Sequence, residues 1–319
     1  MYYIGIDLGG TNIAAGVVDE HYKILGKGNI KTRSPRPAEE IIKDMGVAAR
    51  MAVDNANLTL DDIACVGVGS PGTVDPEKGM ILQSNNLKFD KVDLRAILSK
   101  YLNFDIYTEN DANCAAYGEF LAGAGKGTKN FIAITLGTGV GSGIIINKKI
   151  FSGSNHAGGE LGHTVIVSNG VQCTCGRKGC FEAYASATGL IRATKEKMLE
   201  CKDSLMWQLC ESDINNVSGR TAFLAAEKND IAAKEVINAY IKYLACGITN
   251  AINIFQPEVL CIGGGISKEG EKLTTPIQKI VTAERFSKNN EKQTEIKIAT
   301  LGNDAGIIGA AFLHNIYKR

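Results

Sequence analysis

Residues 4–18 read IGIDLGGTNIAAGVV, and residues 132–146 read IAITLGTGVGSGIII. Each segment has an apolar strand, a turn of glycine and threonine, and a second apolar strand, which is the pattern of a β-hairpin. When the two are aligned, Gly9 of the first turn matches Gly137 of the second. A hairpin pattern that occurs twice predicts two domains that are built alike.

The segments after each hairpin predict sheets that are extended by βαβ units. After the first hairpin we expect a strand at 22–32, a helix at 37–57, a buried strand in ACVGVGSPG, a helix near 92–101 and a strand at 104–108. After the second we expect a helix at 231–255, a strand in VLCIGGGIS, a strand near 294–300 and a closing helix from about 304. Each half therefore indicates a mixed sheet of three antiparallel strands with further parallel strands.

The composition is that of an ordinary globular protein. The chain has 319 residues, of which 45% are apolar and 22% are charged, and its formal net charge is +1. This charge favours neither DNA nor an anionic membrane, and no apolar run reaches the roughly 18 residues of a membrane span. The start, MYYIGIDLGG, does not have the pattern of a signal peptide. We therefore expect a cytoplasmic protein with no nucleic-acid or membrane partner, whose cysteines stay reduced.

Three glycine-rich turns are candidates for phosphate binding: DLGGT (7–11), LGTGVGSG (136–143) and IGGG (262–265). Turns of small residues expose backbone N–H groups that can bind phosphate oxygens. A single turn fits a plain hairpin equally well. Two equivalent turns, one in each domain, favour a nucleotide whose phosphates are held from both sides of a cleft.

Two aspartates are candidates for proton transfer and for holding a metal ion. The segment YTENDANCAAYGEFLAG (107–123) runs from a strand into a helix. Asn110 or Asp111 can cap that helix; the alternative is that Asp111 accepts a proton from a substrate hydroxyl. Asp7, at the end of the first strand, either holds Mg²⁺ directly or through water, or only forms the turn.

One cluster of residues indicates a metal site, and its members are His163, Cys173, Cys175 and Cys180. One nitrogen and three sulfur ligands complete a tetrahedral Zn²⁺ and leave no position for a reacting water, which predicts a structural metal. The alternative is four unrelated buried side chains. A metal here would tie the loop of Glu160 to the loop of Glu182.

Several of these motifs together resemble the ROK family, and within it the bacterial glucokinases. The motifs are IGIDLGGT, NDAN, LGTGVGSG, the ExGH of ELGH (160–163), CxCGxxGCxE (173–182) and GGG (263–265). The resemblance covers essentially the whole chain. It implies two similar α/β domains of the ribonuclease-H-like or actin-like ATPase type, with mixed five-stranded sheets and a cleft between them. The implied domains are 1–110, closed by a C-terminal helix at about 304–319, and 111–303, which carries the zinc insertion.

The resemblance also implies roles for individual residues, with Asp111 as the catalytic base. The implied sugar-binding residues are Asn86, Asn110, Asp111, Glu160, His163 and Glu182. The implied residues of the ATP and Mg²⁺ site are Asp7, Gly9, Gly10, Thr11, Asn12, Gly137, Thr138, Gly139, Gly264 and Gly265. Asn12 is a departure, since many members have lysine after GGT.

The function that the resemblance implies is ATP-dependent phosphorylation of a hexose, glucose to glucose 6-phosphate, by a homodimer or homotetramer with Mg²⁺ and a structural Zn²⁺. Alternatives are a kinase for N-acetylmannosamine, N-acetylglucosamine, fructose or allose, or an inactive sugar-binding module. The phosphate donor is ATP or polyphosphate. Another alternative is a sugar-responsive transcription regulator of the same family. The first strand begins at about Tyr2, which leaves no space for the helix-turn-helix domain of such a regulator.

Overall fold

The computed structural model describes residues 1–318, which form two compact units. The first unit comprises Met1–Ala133, Gly143–Gly159 and the segment from Ala299 onward, and the second comprises Ile134–Ser142 and Glu160–Ile298. By its contacts, the segment 111–122 groups with the first unit, whereas the predicted limits assign it to the second. Those predicted domain limits stay a prediction.

The chain combines runs of strands with runs of helices. The strands are β1 (Tyr2–Leu8), β2 (Asn12–Asp19), β3 (Ile24–Lys31), β4 (Ile63–Ser70), β5 (Thr73–Asp75), β6 (Met80–Ser84), β7 (Phe89–Asp93), β8 (Ile106–Asn110), β9 (Phe131–Leu136), β10 (Val140–Ile146), β11 (Lys149–Ile150), β12 (Val259–Gly264) and β13 (Glu295–Ile298). The helices are α1 (Ala38–Asn55), α2 (Leu94–Ser99), α3 (Asp111–Ala122), α4 (Phe181–Ala185), α5 (Ala187–Glu200), α6 (Leu205–Leu209), α7 (Thr221–Glu227), α8 (Ile231–Phe255), α9 (Glu271–Glu284), α10 (Asp304–Ala311) and α11 (His314–Tyr317).

Two five-stranded mixed sheets confirm the fold class that the repeat predicts. The first has the order β3-β2-β1-β4-β8, in which β1, β2 and β3 are antiparallel and β4 and β8 run parallel to β1. The second has the order β11-β10-β9-β12-β13. A third sheet, β5-β6-β7, was not predicted, because its short strands have no long apolar run.

A row of glycines crosses the first sheet and brings a helix backbone into direct contact with it. Gly5 on β1 pairs with Gly16 on β2 and with Gly67 on β4. A Cβ placed on Gly5 would lie 1.9 Å from the carbonyl oxygen of Ile307, and one on Gly67 would lie 1.8 Å from that of Ala310. Only glycine therefore allows α10 to pack at this distance.

The opposite face of the same sheet receives α1 in a similar way. A Cβ on Gly26 would lie 2.3 Å from the carbonyl oxygen of Ala52, and one on Gly28 would lie 2.1 Å from that of Ala48. Alternate residues of a strand point to opposite faces. β2 and β3 therefore present one set of side chains to α1 and the other set to the side of α10.

The long helix of the second unit begins and ends where its sequence period predicts. Asp230 caps α8, since its Oδ1 accepts the N–H of Ala233 at 2.7 Å, and the left-handed Gln256 (φ 44°) ends it. Leu244 and Ile248, at the helical period, are fully buried. No helix within residues 1–318, α8 included, is both long enough and apolar enough to cross a membrane.

We expect Gly67→Ala to destabilise the protein by about 3 kcal/mol, the upper part of the range for overpacked cores, because the added methyl meets backbone that cannot rotate away. Urea unfolding of the ligand-free protein measures the change. Gly265→Ala is the matched control, since a Cβ at that position has no heavy atom within 4 Å. Equal losses in the two variants would contradict the contact between α10 and the sheet.

Candidate active site

The first unit carries Asp7 at the carboxyl end of β1, against the first turn of α10. A Cβ on Gly306 would lie 2.9 Å from Asp7 Oδ2, so this carboxylate occupies the space that a side chain on α10 would need. Burial, and then the negative charge of Asp111, raises the pKa of Asp7 from 3.8 to about 6. The two carboxylates are thus near enough to repel each other, which is the arrangement that a divalent cation stabilises.

The first glycine turn follows Asp7 and is held from the side of β3. Gly9 N–H donates to the carbonyl oxygen of Asn12 at 2.9 Å. The fully buried Thr32 donates its hydroxyl to the Gly9 carbonyl oxygen at 2.7 Å and its N–H to the Thr11 carbonyl oxygen at 2.9 Å. Three hydrogen bonds therefore fix the turn, and sequence reasoning had not singled out Thr32.

Asn86 lies beside this turn, since a Cβ on Gly10 would come within 3.7 Å of Asn86 Cβ. Its carbonyl oxygen accepts the hydroxyl of Ser34 at 3.1 Å. The side chain assigned to sugar binding is therefore held next to the turn assigned to phosphate binding.

Asn110, not Asp111, is the N-cap of α3. Its Oδ1 accepts the N–H groups of Ala112 at 2.9 Å and Asn113 at 3.1 Å, and its Nδ2 donates to the Gly72 carbonyl oxygen at 3.0 Å. Asp111 is the first helical residue, and its Oδ1 also accepts the Ala112 N–H at 2.9 Å. Since Asn110 caps the helix, capping alone does not account for Asp111.

Glu109 is a buried carboxyl directly before this pair, and sequence reasoning missed it. It is 1% exposed. It accepts the N–H of Asn110 at 2.7 Å, the amide of Asn113 at 3.1 Å and the hydroxyl of Tyr317. Burial raises its pKa. Glu109 thereby ties the C-terminal helix α11 to the strand end that delivers Asn110 and Asp111.

In the second unit, the turn at Gly137–Gly139 lies against Glu182. Glu182 Oε2 accepts the Val140 N–H at 3.0 Å, and a Cβ on Gly139 would lie 2.2 Å from the same oxygen. The carbonyl oxygen of Gly137 accepts the N–H of Ala187 at 2.9 Å. A side chain larger than hydrogen at Gly139 would displace the carboxylate.

The remaining turn residues of this unit join the same group. The hydroxyl of Thr188 donates to the Thr138 carbonyl oxygen at 2.8 Å. Gly264 has a φ of 86°, and a Cβ there would lie 2.4 Å from the carbonyl oxygen of Leu136. Gly264 therefore passes directly beside the strand that leads into the turn, as only glycine can. Gly265 follows it with open space around it.

Glu160 and His163 lie on one short 3₁₀ segment, where the His163 N–H donates to the Glu160 carbonyl oxygen at 3.1 Å. The Leu161 N–H donates to Ser142 Oγ at 3.1 Å, and a Cβ on Gly162 would lie 2.2 Å from the carbonyl oxygen of Val140. This segment is thus packed on the strand that follows the second glycine turn.

The four predicted metal ligands come together. One ligand atom from each of His163, Cys173, Cys175 and Cys180 lies within 4.8 Å of all the others. The distance from Cys175 Sγ to Cys180 Sγ is 3.6 Å, and that from Cys173 Sγ to His163 Nδ1 is 3.7 Å. Ligands at about 2.3 Å from a tetrahedral Zn²⁺ are about 3.8 Å apart. The donor set and its spacing therefore fit zinc, with Nδ1 as the histidine ligand.

The charge state of the thiols also fits a cation. The N–H of Arg177, followed by weaker contacts, lowers the pKa of Cys175, whereas burial and the neighbouring sulfurs raise the pKa of Cys180 to about 12. Three adjacent thiols cannot all ionise without a cation, and binding of a metal releases their protons.

Glu182 connects this cluster to the second glycine turn. Its Oε1 accepts the hydroxyl of Thr174 at 3.2 Å and lies 3.7 Å from Cys173 Sγ. Two residues further along α4, the hydroxyl oxygen of Tyr184 accepts the Val171 N–H at 2.8 Å. Both bonds fasten α4 to the loop of the three cysteines.

The predicted residues thus form two groups, one in each unit. The first contains Asp7, Gly9, Gly10, Thr11, Asn12, Asn86, Asn110 and Asp111, and the second contains Gly137, Thr138, Gly139, Glu160, His163, Cys173, Cys175, Cys180, Glu182, Gly264 and Gly265. Thr32 and Glu109 support the site but were not predicted from the sequence. Glu109 could have been found, because it is an acidic residue at a strand end beside Asn110.

The fold and these two groups define an α/β protein of the actin-like ATPase type, and comparison with known proteins gives its family. The ROK family matches residues 3–316, so the chain belongs to the ROK family. A glucokinase from Halalkalibacterium halodurans is 36% identical over 98% of this chain and 94% of its own length. A glucokinase from Thermotoga maritima is 36% identical over 97% of this chain and 95% of its own length.

A solved structure agrees with this assignment. The ROK family glucokinase from Streptomyces griseus, in complex with glucose and AMPPNP, is 33% identical and superposes with a TM-score of 0.81. The similarity covers 98% of this chain and 99% of that one.

We expect purified protein to contain about one zinc per chain by elemental analysis, and Cys175→Ser to lose most of it, because a neutral hydroxyl is a poor ligand for zinc. The variant should also melt at a lower temperature. Cys201→Ser, which changes a free cysteine outside the cluster, is the control. Wild-type protein purified without chelator that is free of metal and fully stable would rule out the site.

We expect Asp7→Asn to stabilise the ligand-free protein more at about pH 7.5 than at about pH 5. Because the pKa of Asp7 is raised from 3.8 to about 6 in the folded state, the stability that its neutral form contributes is complete below pH 3.8 and is lost as pH rises through about 6. Asparagine cannot ionise and keeps that stability. At neutral pH, the free energy of unfolding of the variant should therefore exceed that of the wild type by at most about 3 kcal/mol. Thermal melts of both proteins at the two pH values measure it. If the variant were more stable by the same amount at both pH values, ionisation of Asp7 would not be the cause of the difference.

Proposed function

We propose that this protein is an ATP-dependent hexose kinase and that its substrate is glucose, which it converts to glucose 6-phosphate. The observation that carries the proposal is the proximity of two aspartates in the first unit. Asp7 on β1 pairs with Gly69 on β4, and a Cβ on Gly69 would lie 3.4 Å from the Cα of Asp111. Phosphoryl transfer requires a base for the attacking hydroxyl, a metal site and N–H donors for phosphates. The relatives named glucokinase support glucose as the sugar.

Asp111 is the base in this proposal. It accepts the proton of the sugar hydroxyl as that oxygen bonds to the γ-phosphorus, while the bond to the ADP oxygen breaks. The start of α3 favours a negative charge on Asp111. Asn110, whose amide caps the same helix, fixes the direction in which Asp111 leaves the strand.

Asp7 is the residue that binds the Mg²⁺ ion of the nucleotide in this proposal. Its carboxylate is partly buried, at the end of β1, and carries charge at neutral pH although burial opposes it. Such a group binds Mg²⁺ directly or through water. When bound, Mg²⁺ would neutralise part of the negative charge of the triphosphate. The N–H groups of the turns at Gly9–Thr11 and Gly137–Gly139, with Gly264 and Gly265, are proposed to bind the nucleotide.

The sugar hydroxyls are assigned to Asn86, Asn110, Glu160, His163 and Glu182. Carboxylates and amides are strong hydrogen-bond partners of hydroxyl groups. Since Nδ1 of His163 lies 3.7 Å from Cys173 Sγ, Nε2 remains for a sugar hydroxyl, and zinc would fix the ring in that orientation. Zinc is therefore proposed as a structural metal that holds sugar-binding residues. The expected homodimer or homotetramer stays a prediction.

The experiment that tests the substrate is a coupled assay of ADP release. It compares glucose with N-acetylmannosamine, N-acetylglucosamine, fructose and allose, with ATP as donor, and then repeats glucose with polyphosphate by detecting glucose 6-phosphate. The highest kcat/KM with glucose and ATP is expected. A higher value for another hexose would replace glucose, and no turnover with any sugar would contradict the kinase.

We expect Asp111→Asn to lower kcat by at least about 100-fold, the low end for general-base catalysis, while the affinity for the sugar changes far less. Asparagine has nearly the same shape but cannot accept the proton. Steady-state kinetics and sugar binding by calorimetry separate the two effects. Asp19→Asn, at the far end of β2, is the control. Near-normal turnover of the Asp111 variant would show that another group is the base.

A further inference from the structure

The neutral side chain next to the first glycine turn has a lysine directly opposite it. In the pairing of β2 with β3, Asn12 is the partner of Lys31. Residues directly opposite in an antiparallel pair project from the same face, with Cβ atoms about 5 Å apart. Lys31 therefore stands one strand away from the position that follows Gly-Gly-Thr.

The contacts of neighbouring residues identify the face from which Lys31 projects. Lys27 lies four residues earlier on β3, on the same face, and its ammonium is 2.5 Å from Asp304 Oδ1 at the start of α10. Asp7 pairs with Ala14, which lies two residues from Asn12 on the same face of β2. Asp7, Asn12 and Lys31 thus share the face on which α10 begins.

The side chain of Lys31 has no carboxylate partner among the described residues. It is exposed to solvent. Two other basic residues of the same region do have partners. Lys27 pairs with Asp304, and Arg36 pairs with Asp44 and donates to the carbonyl oxygen of Thr32. An unpaired ammonium on a four-carbon stem beside a phosphate-binding turn is suited to bind phosphate as a point charge.

Thr32, the residue after Lys31, restricts where that charge can be. Its hydroxyl and its N–H both bond to the turn, at Gly9 and Thr11. The backbone that carries Lys31 is therefore fastened to the same turn that presents N–H groups. A group bound at the turn lies within the reach of the lysine stem.

We propose that Lys31 binds the phosphate groups of the nucleotide at the Gly9–Thr11 turn and supplies there the positive charge that Asn12 lacks. This role rests on the proposed function, because it assumes that the turn holds ATP. It assigns a nucleotide-binding residue from a strand other than the one that carries the glycine motif.

The first test compares Lys31→Met with Lys43→Met. Lys43 is an exposed lysine on α1, which packs on the other face of the sheet, so the two variants lose the same charge. Binding of MgATP and of adenosine is measured by calorimetry without sugar. Lys31→Met should weaken MgATP binding about tenfold, as expected for one charged hydrogen bond, and leave adenosine binding and the KM for the hexose unchanged. Lys43→Met should match wild type. MgATP affinity that is unchanged in Lys31→Met, or lowered equally in both variants, overturns the proposal.

The second test moves the charge across the strand pair. The double variant Asn12→Lys with Lys31→Met should recover most of the lost affinity for MgATP, because the two positions face the same phosphates. A double variant that binds no better than Lys31→Met overturns the proposal. A failure of the proposed kinase function can be distinguished from a failure of the proposal for Lys31. Wild-type protein that binds MgATP but phosphorylates no hexose contradicts the proposed function, and Lys31 is then judged by binding alone.

Discussion

The contact between the backbone of α10 and the glycine row of the first sheet is the constraint on which the first unit depends. Gly5 and Gly67 leave no space for a methyl group between the strands and the carbonyl oxygens of α10. The other side of α10 packs on α3 just as closely, since a Cβ on Gly118 would lie 2.1 Å from the Ala305 carbonyl oxygen. A helix from the end of the chain is thereby enclosed between the sheet and the helix that begins with Asp111.

This packing fixes the backbone positions of the site residues in the first unit. Gly306 on α10 leaves room for Asp7, and α3 follows from the strand end at Asn110. Tyr317, just beyond α10, bonds to the buried Glu109 and so holds that strand end from behind. Because interiors are close-packed, the packing of α10 against the sheet and α3 sets the spacing of the backbone that carries Asp7 and Asp111.

Local patterns in the sequence predicted much of this structure. The repeat at Gly9 and Gly137 predicted two mixed sheets, and the spacing of the cysteines predicted the four clustered ligands, because hairpins and metal loops are encoded by residues near in sequence. The bond between Glu109 and Tyr317 joins residues 208 positions apart. It depends on tertiary packing, for which a single sequence has no signal. The partner of Asn12 on β3 likewise required the register of the strands.

In the second unit, the side chain of Glu182 joins two parts of the site, in addition to the close backbone contacts of Gly162 and Gly264. Glu182 Oε2 accepts the Val140 N–H of the glycine turn, and its Oε1 accepts the hydroxyl of Thr174 in the cysteine loop. One carboxylate is therefore a shared acceptor for the proposed phosphate turn and for the proposed zinc loop. If zinc binds this cluster, its removal would leave adjacent thiolates that repel each other or take up protons, and the loop would lose that support. Since Glu182 Oε2 accepts the Val140 N–H and occupies the space beside Gly139, a shift of this carboxylate would also reach the turn that is proposed to bind the nucleotide.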